Sequence, residues 1–521
     1  MKIINKGKGF DAKDQGETRL EKLRTWKILL FLLAIAFFLR FFLILQPEVI
    51  HNDGAEYVFQ ARQILSEGKW AGGKAPPLYP LLIALFHFIA PNDELAGIWV
   101  SVIFGTFLIL AVFFLGKEIF NKSVGSIAAL FAVVHPLLYT SSGSVLSESV
   151  YYCLVTTAVL FGWKAFCQGG LFTICFAFFT TLAYLTRPEG MGFLFIFAFW
   201  VLFISPPHRQ RHWTRRGGVF FLALLSFFVF SFPYLVQLKK ETGRWGISGK
   251  LTISMGSLSE EEKVPSIDEI RRRREFPLLS LVHDPMTAIK KIGLGFFSSI
   301  YKFQQALNPL LFIFVLLVFI WKRNRPYTLK GDFYLLSHFI FFFALVLPFF
   351  WITRRYTSQL VPISLPWAAF GFVGLINWIS PRLKEGKLKE SISILLLILV
   401  LIGLFVQGRV IHPRSHRFIQ KEVGLWMKDH LPKGAQVMSS MPQEAFYAEL
   451  PCVKRPQGSY EEIIETARSK GVQYLVIDEM IEEDSPGFWK KLEQGNLVSL
   501  LDVKRKNRRL VVLQVDYPKG K

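Results

Sequence analysis

The sequence predicts an all-α polytopic membrane protein with a small α/β domain at its C-terminus, on three observations. Apolar runs of about 15–22 residues recur from Trp26 to Gln407, the length that crosses a bilayer. Lys and Arg gather in the short loops between those runs, where they set orientation. After Gly408 the long apolar runs give way to short helix and strand patterns separated by turn residues. The chain is 52% hydrophobic. Soluble domains reach about 45–50%, so the distribution, and not the total, carries the prediction.

The tail Met1–Lys27 carries Lys2, Lys6, Lys8, Lys13, Arg19, Lys22, Arg24 and Lys27, which places it in the cytoplasm. The basic loops "GKEIFNK" (Gly116–Lys122), "PPHRQRHWTRR" (Pro206–Arg216), "KRNRPYTLK" (Lys322–Lys330) and "PRLKEGKLKE" (Pro381–Glu390) belong on the same side. They fall there only if "LYPLLIALFHFIA" (Leu78–Ala90) does not span, as its short length and preceding prolines suggest. About eleven spans result, near 27–45, 95–115, 123–140, 148–167, 171–185, 190–205, 217–238, 307–321, 333–351, 357–378 and 391–408. The domains are then a cytoplasmic tail 1–26, a membrane domain 27–408 and an outer domain 409–521. Loops 46–94 and 239–306 also lie outside.

The net charge of +22 is accounted for by the basic loops, so no nucleic-acid partner is expected. The four cysteines lie in or beside spans, apart from Cys452, and form no disulfide or metal-binding pattern. The first apolar run lacks a cleavage pattern and reads as a retained anchor.

In the C-terminal domain, "EVGLWMKDHLP" has a helical apolar spacing ended by Pro432, and "AQVMSS" reads as a strand. "SYEEIIETARSKG" is a helix with an N-terminal Ser, an acidic first turn and a closing Gly471; "VQYLVIDE" is a strand. "LVSLLDV" and "RLVVLQV" flank "KRKNRR" as a hairpin.

Charged residues near membrane depth are costly and mark functional sites. "HNDGAEYVFQAR" (His51–Arg62) puts Asp53, Glu56 and Arg62 on a helix after the first span, with Asp53 and Tyr57 four residues apart on one face. Ordinary capping by Asn52 or Asp53 is the competing explanation. Lys74, before "APPLYP", either snorkels or faces an anion. Glu148 in "SVLSESVYY" either caps its own helix with Ser147 or serves the site. "LTRPEGMGF" places Arg187 beside Glu189, as an ion pair bracing two helices or as site residues. "WITRRYTSQLVP" puts Arg354, Arg355 and Tyr356 outside, against the positive-inside tendency, which points to an anion. His87 and His135 lack ligand-spaced companions and read as packing or hydrogen-bonding residues. "IRRRRE" (Ile270–Glu275) is a solvated basic helix or a contact with anionic lipid. Carboxylates meeting cations at one membrane face suit group transfer from a lipid phosphate. One carboxylate takes a hydroxyl proton, and the cations stabilise the departing phosphate.

The ordered set "NDGAEY…AR", "GKAPPLYPLLIALF", "SVLSE", "LTRPEG" and "RRYTSQLVPISLPWAAFG" resembles membrane glycosyltransferases of the GT-C fold. It is most similar to the dolichyl-phosphate-mannose protein mannosyltransferase-like group, which includes bacterial aminoarabinose transferases of lipid A. The resemblance covers Trp26 to Gln407. It implies a polyprenyl-phosphate sugar donor, inversion at the sugar carbon and a bacterial inner-membrane location, with the C-terminal domain in the periplasm. It implies Asp53 as the acid that serves as or positions the base, with Glu56 sharing that role, and Glu148 as the second-loop acid. Lys74 and Tyr356 would contact the lipid phosphate, with Arg187, Arg354 and Arg355 as weaker matches. The first motif is Asp-Gly-Ala-Glu where many relatives have adjacent acids, and Ala75 separates Lys74 from the prolines. The expected acceptor is a lipid A-like glycolipid or a protein hydroxyl. No cofactor is assigned, and one acid pair neither establishes nor excludes a divalent metal. The rival reading is a transporter or lipid flippase, which predicts paired half-repeats that the sequence does not display.

Overall fold

The structure is a computed structural model. It describes residues 19–45, 49–73, 75–90, 92–206, 213–249, 285–320, 326–349, 352–379, 387–410, 418–456, 458–479, 481–485, 487–492, 497–505 and 508–515. Lys74 and the "IRRRRE" segment lie outside them. The chain divides into two compact units. The first comprises Met1–Ile44, Ala61–Gly143 and Ser147–Ile411; the second comprises Leu45–Gln60, Ser144–Leu146 and His412–Lys521. The second unit thus differs from a domain beginning at 409, because two short segments from far upstream belong to it.

The first unit is helical. Among the described residues, seven of its helices are long and apolar enough to cross a membrane, or up to eight if the bent pair Ile292–Leu307 and Pro309–Ile320 counts as one. That count leaves the expected eleven unconfirmed, and the difference is one of length. The segments expected as spans near 123–140, 171–185 and 190–205 form helices Lys122–Val134, Leu171–Thr186 and Gly192–Phe203 of 13, 16 and 12 residues. At 1.5 Å per residue these reach about 18–24 Å, short of the roughly 30 Å hydrocarbon core. Pro136 stops the first of them, since a proline there removes a helical donor. Leu78–His87, expected not to span, is a helix of 10 residues.

A further difference falls in the expected loop 239–306. Its end is the helix Pro285–Leu307, which continues across a 116° bend into Pro309–Ile320. Its apolar residues recur at helical spacing between Lys290, Lys302 and polar positions, so no continuous apolar run announces it. Helix Glu148–Gln168 packs against Leu171–Thr186 on one side and Asp93–Ile119 on another. It is the most enclosed of the long helices together with Arg354–Ile379, each with 78% of its apolar window buried.

The first helix, Arg19–Ile44, holds a fully buried Arg40. Its guanidinium donates to Ser142 Oγ at 3.2 Å and to the carbonyls of Ala36, Val133 and Ala132 at 3.2, 3.4 and 3.3 Å. Ala132 and Val133 end helix Lys122–Val134, where free carbonyls and the helix dipole favour a cation. Gly105 makes room for this contact: a Cβ there would meet Ser142 Oγ at 2.1 Å and Arg40 Nε at 3.2 Å.

The second unit is built on one sheet in the order β2-β1-β3-β5-β4. The strands are β1 (Val437–Ser439), β2 (Cys452–Lys454), β3 (Tyr474–Asp478), β4 (Leu497–Arg505) and β5 (Arg508–Val515). β1 pairs in parallel with β2 and β3, while β5 runs antiparallel to β3 and β4. Helix Phe418–His430 and the hydrophobic residues Ala448 and Leu450 cover one face of the sheet. Helix Tyr460–Ser469 covers the other, packed with Ile481 and Phe488. Ser459 and Glu462 form a reciprocal capping box at the start of that helix.

Candidate active site

Helix Glu148–Gln168 opens with "ESVYY", so Glu148, Tyr151 and Tyr152 stand at i, i+3 and i+4 on one face. That face meets the turns Arg354–Thr357 and Ser358–Leu360. Tyr151 donates its hydroxyl hydrogen to Gln359 Oε1 at 2.8 Å. Tyr152 lies 2.5 Å from Ser358 Oγ. The single hydrogen of Ser358 goes to the Arg355 carbonyl, so Tyr152 is the donor in this pair. Two tyrosines therefore fix the segment that carries Arg354, Arg355 and Tyr356.

Glu148 is 4% exposed. Its Oε1 accepts from Arg355 Nε and lies 3.5 Å from Arg187 Nη1. Ser147 makes no side-chain cap, while Glu148 stands in the first turn, where a negative charge suits the helix dipole. Arg187 follows the last turn of helix Leu171–Thr186 in extended conformation, and Pro188 prevents the helix from running on. Its guanidinium lies 5.5 Å from the ring centroids of both Tyr151 and Tyr356, and 3.7 Å from Glu189. These distances are within cation–π range. Two guanidiniums and two carboxylates thus converge with no net charge.

The second carboxylate oxygen, Glu148 Oε2, is buried and accepts no hydrogen bond. Leaving such a group unsatisfied costs about 1–3 kcal/mol, more for a charge. A hydroxyl arriving at Oε2 would recover that cost. A carboxylate braced on one oxygen and open on the other can orient a sugar or an acceptor hydroxyl.

In the second unit, residues 52–60 of helix Asn52–Glu67 carry the first acidic motif. Asp53, Glu56 and Tyr57 are half-buried along one face, while Gly54, Ala55 and Val58 are buried on the opposite one. Asn52 reaches residues near 440. Its amide donates to Met441 Sδ at 2.9 Å and accepts from Gln443 Nε2. Gly54 is required by close packing: a Cβ there would meet the Val145 carbonyl oxygen at 2.6 Å.

The remaining expected residues fall in different settings. Arg62 pairs with Asp93 at 2.7 Å, and His87 Nδ1 reaches the same carboxylate at 2.6 Å. Arg354 is exposed. His135 bonds the Leu307 carbonyl at 3.0 Å. Among the described residues no three His, Cys, Asp or Glu side chains are grouped to hold a metal ion. Sequence reasoning did not single out Tyr151, Tyr152, Ser358, Gln359, Arg40 or Gln443. The tyrosines had a signal, their i+3 and i+4 spacing from Glu148; the others had none.

Residues 74–236 match the model of the dolichyl-phosphate-mannose-protein mannosyltransferase family. ArnT from Cupriavidus metallidurans in the apo state is similar in structure, with a TM-score of 0.58 at 14% identity, over 94% of this chain and 98% of that one. The same protein bound to undecaprenyl phosphate gives 0.59 at 13% identity, over 93% and 97%. The Archaeoglobus fulgidus oligosaccharyltransferase in the apo form gives 0.56 at 15% identity, over 89% of this chain and 71% of that one. No curated protein sequence matches the chain. Identities this low speak to the fold. Buried helices around Glu148, a helical first unit and a small sheet unit, with the order of polar motifs along the chain, agree with it: the chain is a GT-C-fold membrane protein, similar to ArnT along nearly its whole length and to the dolichyl-phosphate-mannose-protein mannosyltransferases over residues 74–236.

Proposed function

We propose that this chain is an inverting glycosyltransferase that moves a sugar from a polyprenyl phosphate to a hydroxyl of a glycolipid or protein at the outer face of a bacterial inner membrane. The observation that carries the reading is Glu148, buried at a helix start, held by two arginines on Oε1 and unpaired on Oε2. ArnT with bound undecaprenyl phosphate shares the fold and supports the choice of donor class.

In the reaction, Asp53, with Glu56 beside it, takes the proton from the acceptor hydroxyl. The hydroxyl oxygen attacks the anomeric carbon as the bond from that carbon to the phosphate oxygen breaks. Polyprenyl phosphate leaves with the bonding electron pair. Glu148 accepts a hydrogen bond from a sugar or acceptor hydroxyl through Oε2. Arg187 and Arg355 are already neutralised by Glu148 and Glu189, so the cationic surplus for the departing phosphate falls to Lys74 and Arg354, with Tyr356 as a further donor. Tyr57, four residues from Asp53 on the same helix face, is assigned to substrate binding.

The test uses the purified full chain in detergent with a panel of labelled polyprenyl-phosphate sugars and lipid or peptide acceptors. Product forms with no membrane to cross, which a transporter would not yield. Asp53→Asn lowers kcat by about 10²–10⁴-fold, the usual contribution of a general base. Unchanged turnover in that variant would remove Asp53 from the mechanism.

A further inference from the structure

Asp53 lies on a segment whose compact unit is completed by residues nearly four hundred positions later. Leu45–Gln60 groups with His412–Lys521, and its contacts there are specific. The Ile50 backbone N–H donates to the Tyr447 hydroxyl at 2.9 Å. Asn52, next to Asp53, accepts from Gln443 Nε2 and donates to Met441 Sδ. Nearly two helix turns further on, the rings of Phe59 and Phe446 meet edge to face at 6.0 Å. Gln443, Phe446 and Tyr447 all belong to the short helix Gln443–Ala448, and each is at least nine-tenths buried.

This helix is itself fixed. Its carbonyl at Glu444 lies where a Cβ on Gly424 would stand at 2.6 Å, so it presses directly against helix Phe418–His430. Ala448 and Leu450 join the sheet's apolar core. Gln443 pays for its place there, because its Oε1 is buried with no partner. A hydrophobic side chain would serve the core of the domain better than a half-satisfied amide. What the amide does accomplish is directional: it sets the side chain that immediately precedes Asp53. Hydrogen bonds at Ile50 and Asn52 and a ring contact at Phe59 bracket the acidic motif on both sides.

We infer that Gln443 and Tyr447 are positioning residues for sugar transfer, and that the C-terminal domain acts as the clamp that fixes the Asp53 carboxylate in its reactive orientation. The inference rests on Asp53 being the base. A carboxylate held about 1 Å out of place can lose on the order of 10²-fold in rate while the substrate still binds.

The experiment takes the full chain in detergent, with wild type, Gln443→Ala, Tyr447→Phe, the double variant and Asp502→Asn, an exposed hairpin position, as control. Two quantities are read: kcat and KM for the labelled polyprenyl-phosphate sugar, and amide hydrogen exchange over residues 49–60. The expected result for the double variant is a kcat lowered about 10–100-fold with KM within about twofold. Exchange at 49–60 accelerates while the sheet stays protected, and the control matches wild type. A kcat within twofold of wild type overturns the inference, as does unchanged exchange at 49–60. Loss of protection across the whole sheet, with kcat falling only in proportion to folded protein, assigns these residues to domain stability and also overturns it. Failure of the underlying reading looks different: Asp53→Asn then retains turnover whatever the clamp variants do.

Discussion

Arg187 meets four side chains at once, and its chemistry explains why a lysine would not replace it. The planar guanidinium spans Glu148 and Glu189 and lies against the rings of Tyr151 and Tyr356. A lysine ammonium offers a point charge with no plane to lay along the rings and no fork for two carboxylates. Arg187→Lys should therefore lower kcat roughly tenfold or more and cost about 0.5–2 kcal/mol of stability from the lost ring contacts. Turnover and thermal unfolding of the purified variant check both. A variant with wild-type turnover would remove Arg187 from the site. At this scale the sequence was informative about charge and silent about partners. Glu148, Arg187 and Arg355 stood out as ionisable residues at the ends of apolar runs. That both arginines converge on one oxygen of Glu148 was not legible, because the three positions are spread over two hundred residues and meet only through packing. Arg62 stood out for the same reason and proved to be paired with Asp93.

Elements were legible where local chemistry marks their ends. The capping box at Ser459 and Glu462 and the turn at Gly471, with φ +63°, bound helix Tyr460–Ser469 as the residue pattern predicts. Ser459→Ala removes one of two reciprocal bonds and should cost about 1 kcal/mol. Amide exchange in residues 460–469 should rise about fivefold, with β3 little changed. Unaltered exchange would mean that packing alone holds the helix start. Other elements carried no such marks. Strand β2 is three residues after a proline, too short for any alternation to show. Helix Pro285–Leu307 mixes lysines with apolar residues, and a search for continuous apolar runs passes over it. Helix length was the harder property. An apolar run fixes what can lie in lipid, but Pro136 and Pro188 decide where the helices within it stop.

The molecule as a whole has a pH dependence seated in the second unit. Glu444 is buried beside Ser439, and burial pushes its carboxyl up to about 8 from an ordinary 4.5. Between those values the folded domain holds a proton that the unfolded chain releases. Stability therefore falls as pH rises from about 4.5 to about 8, and levels off above. Glu444→Gln should flatten this slope and raise the unfolding temperature at pH 8 more than at pH 5. Parallel slopes for variant and wild type would exclude Glu444 as the source. The two-part architecture was legible from the change of pattern after Gly408, but the membership of residues 45–60 in the second unit was not, since only tertiary contacts at Asn52 and Ile50 reveal it. Arg40 has a consequence in time. During synthesis the first helix enters the membrane with a charge whose partners at Ala132 and Ser142 lie 92 and 102 residues ahead. At about 5–20 residues per second, the ribosome needs roughly 5–20 s to supply them. Nascent chains arrested before Ala132 should keep this helix cross-linked to the insertion machinery, and chains with Ser142 fully emerged should release it. In Arg40→Leu the release should come early; identical timing in the two chains would show that the helix leaves for lipid without its partners.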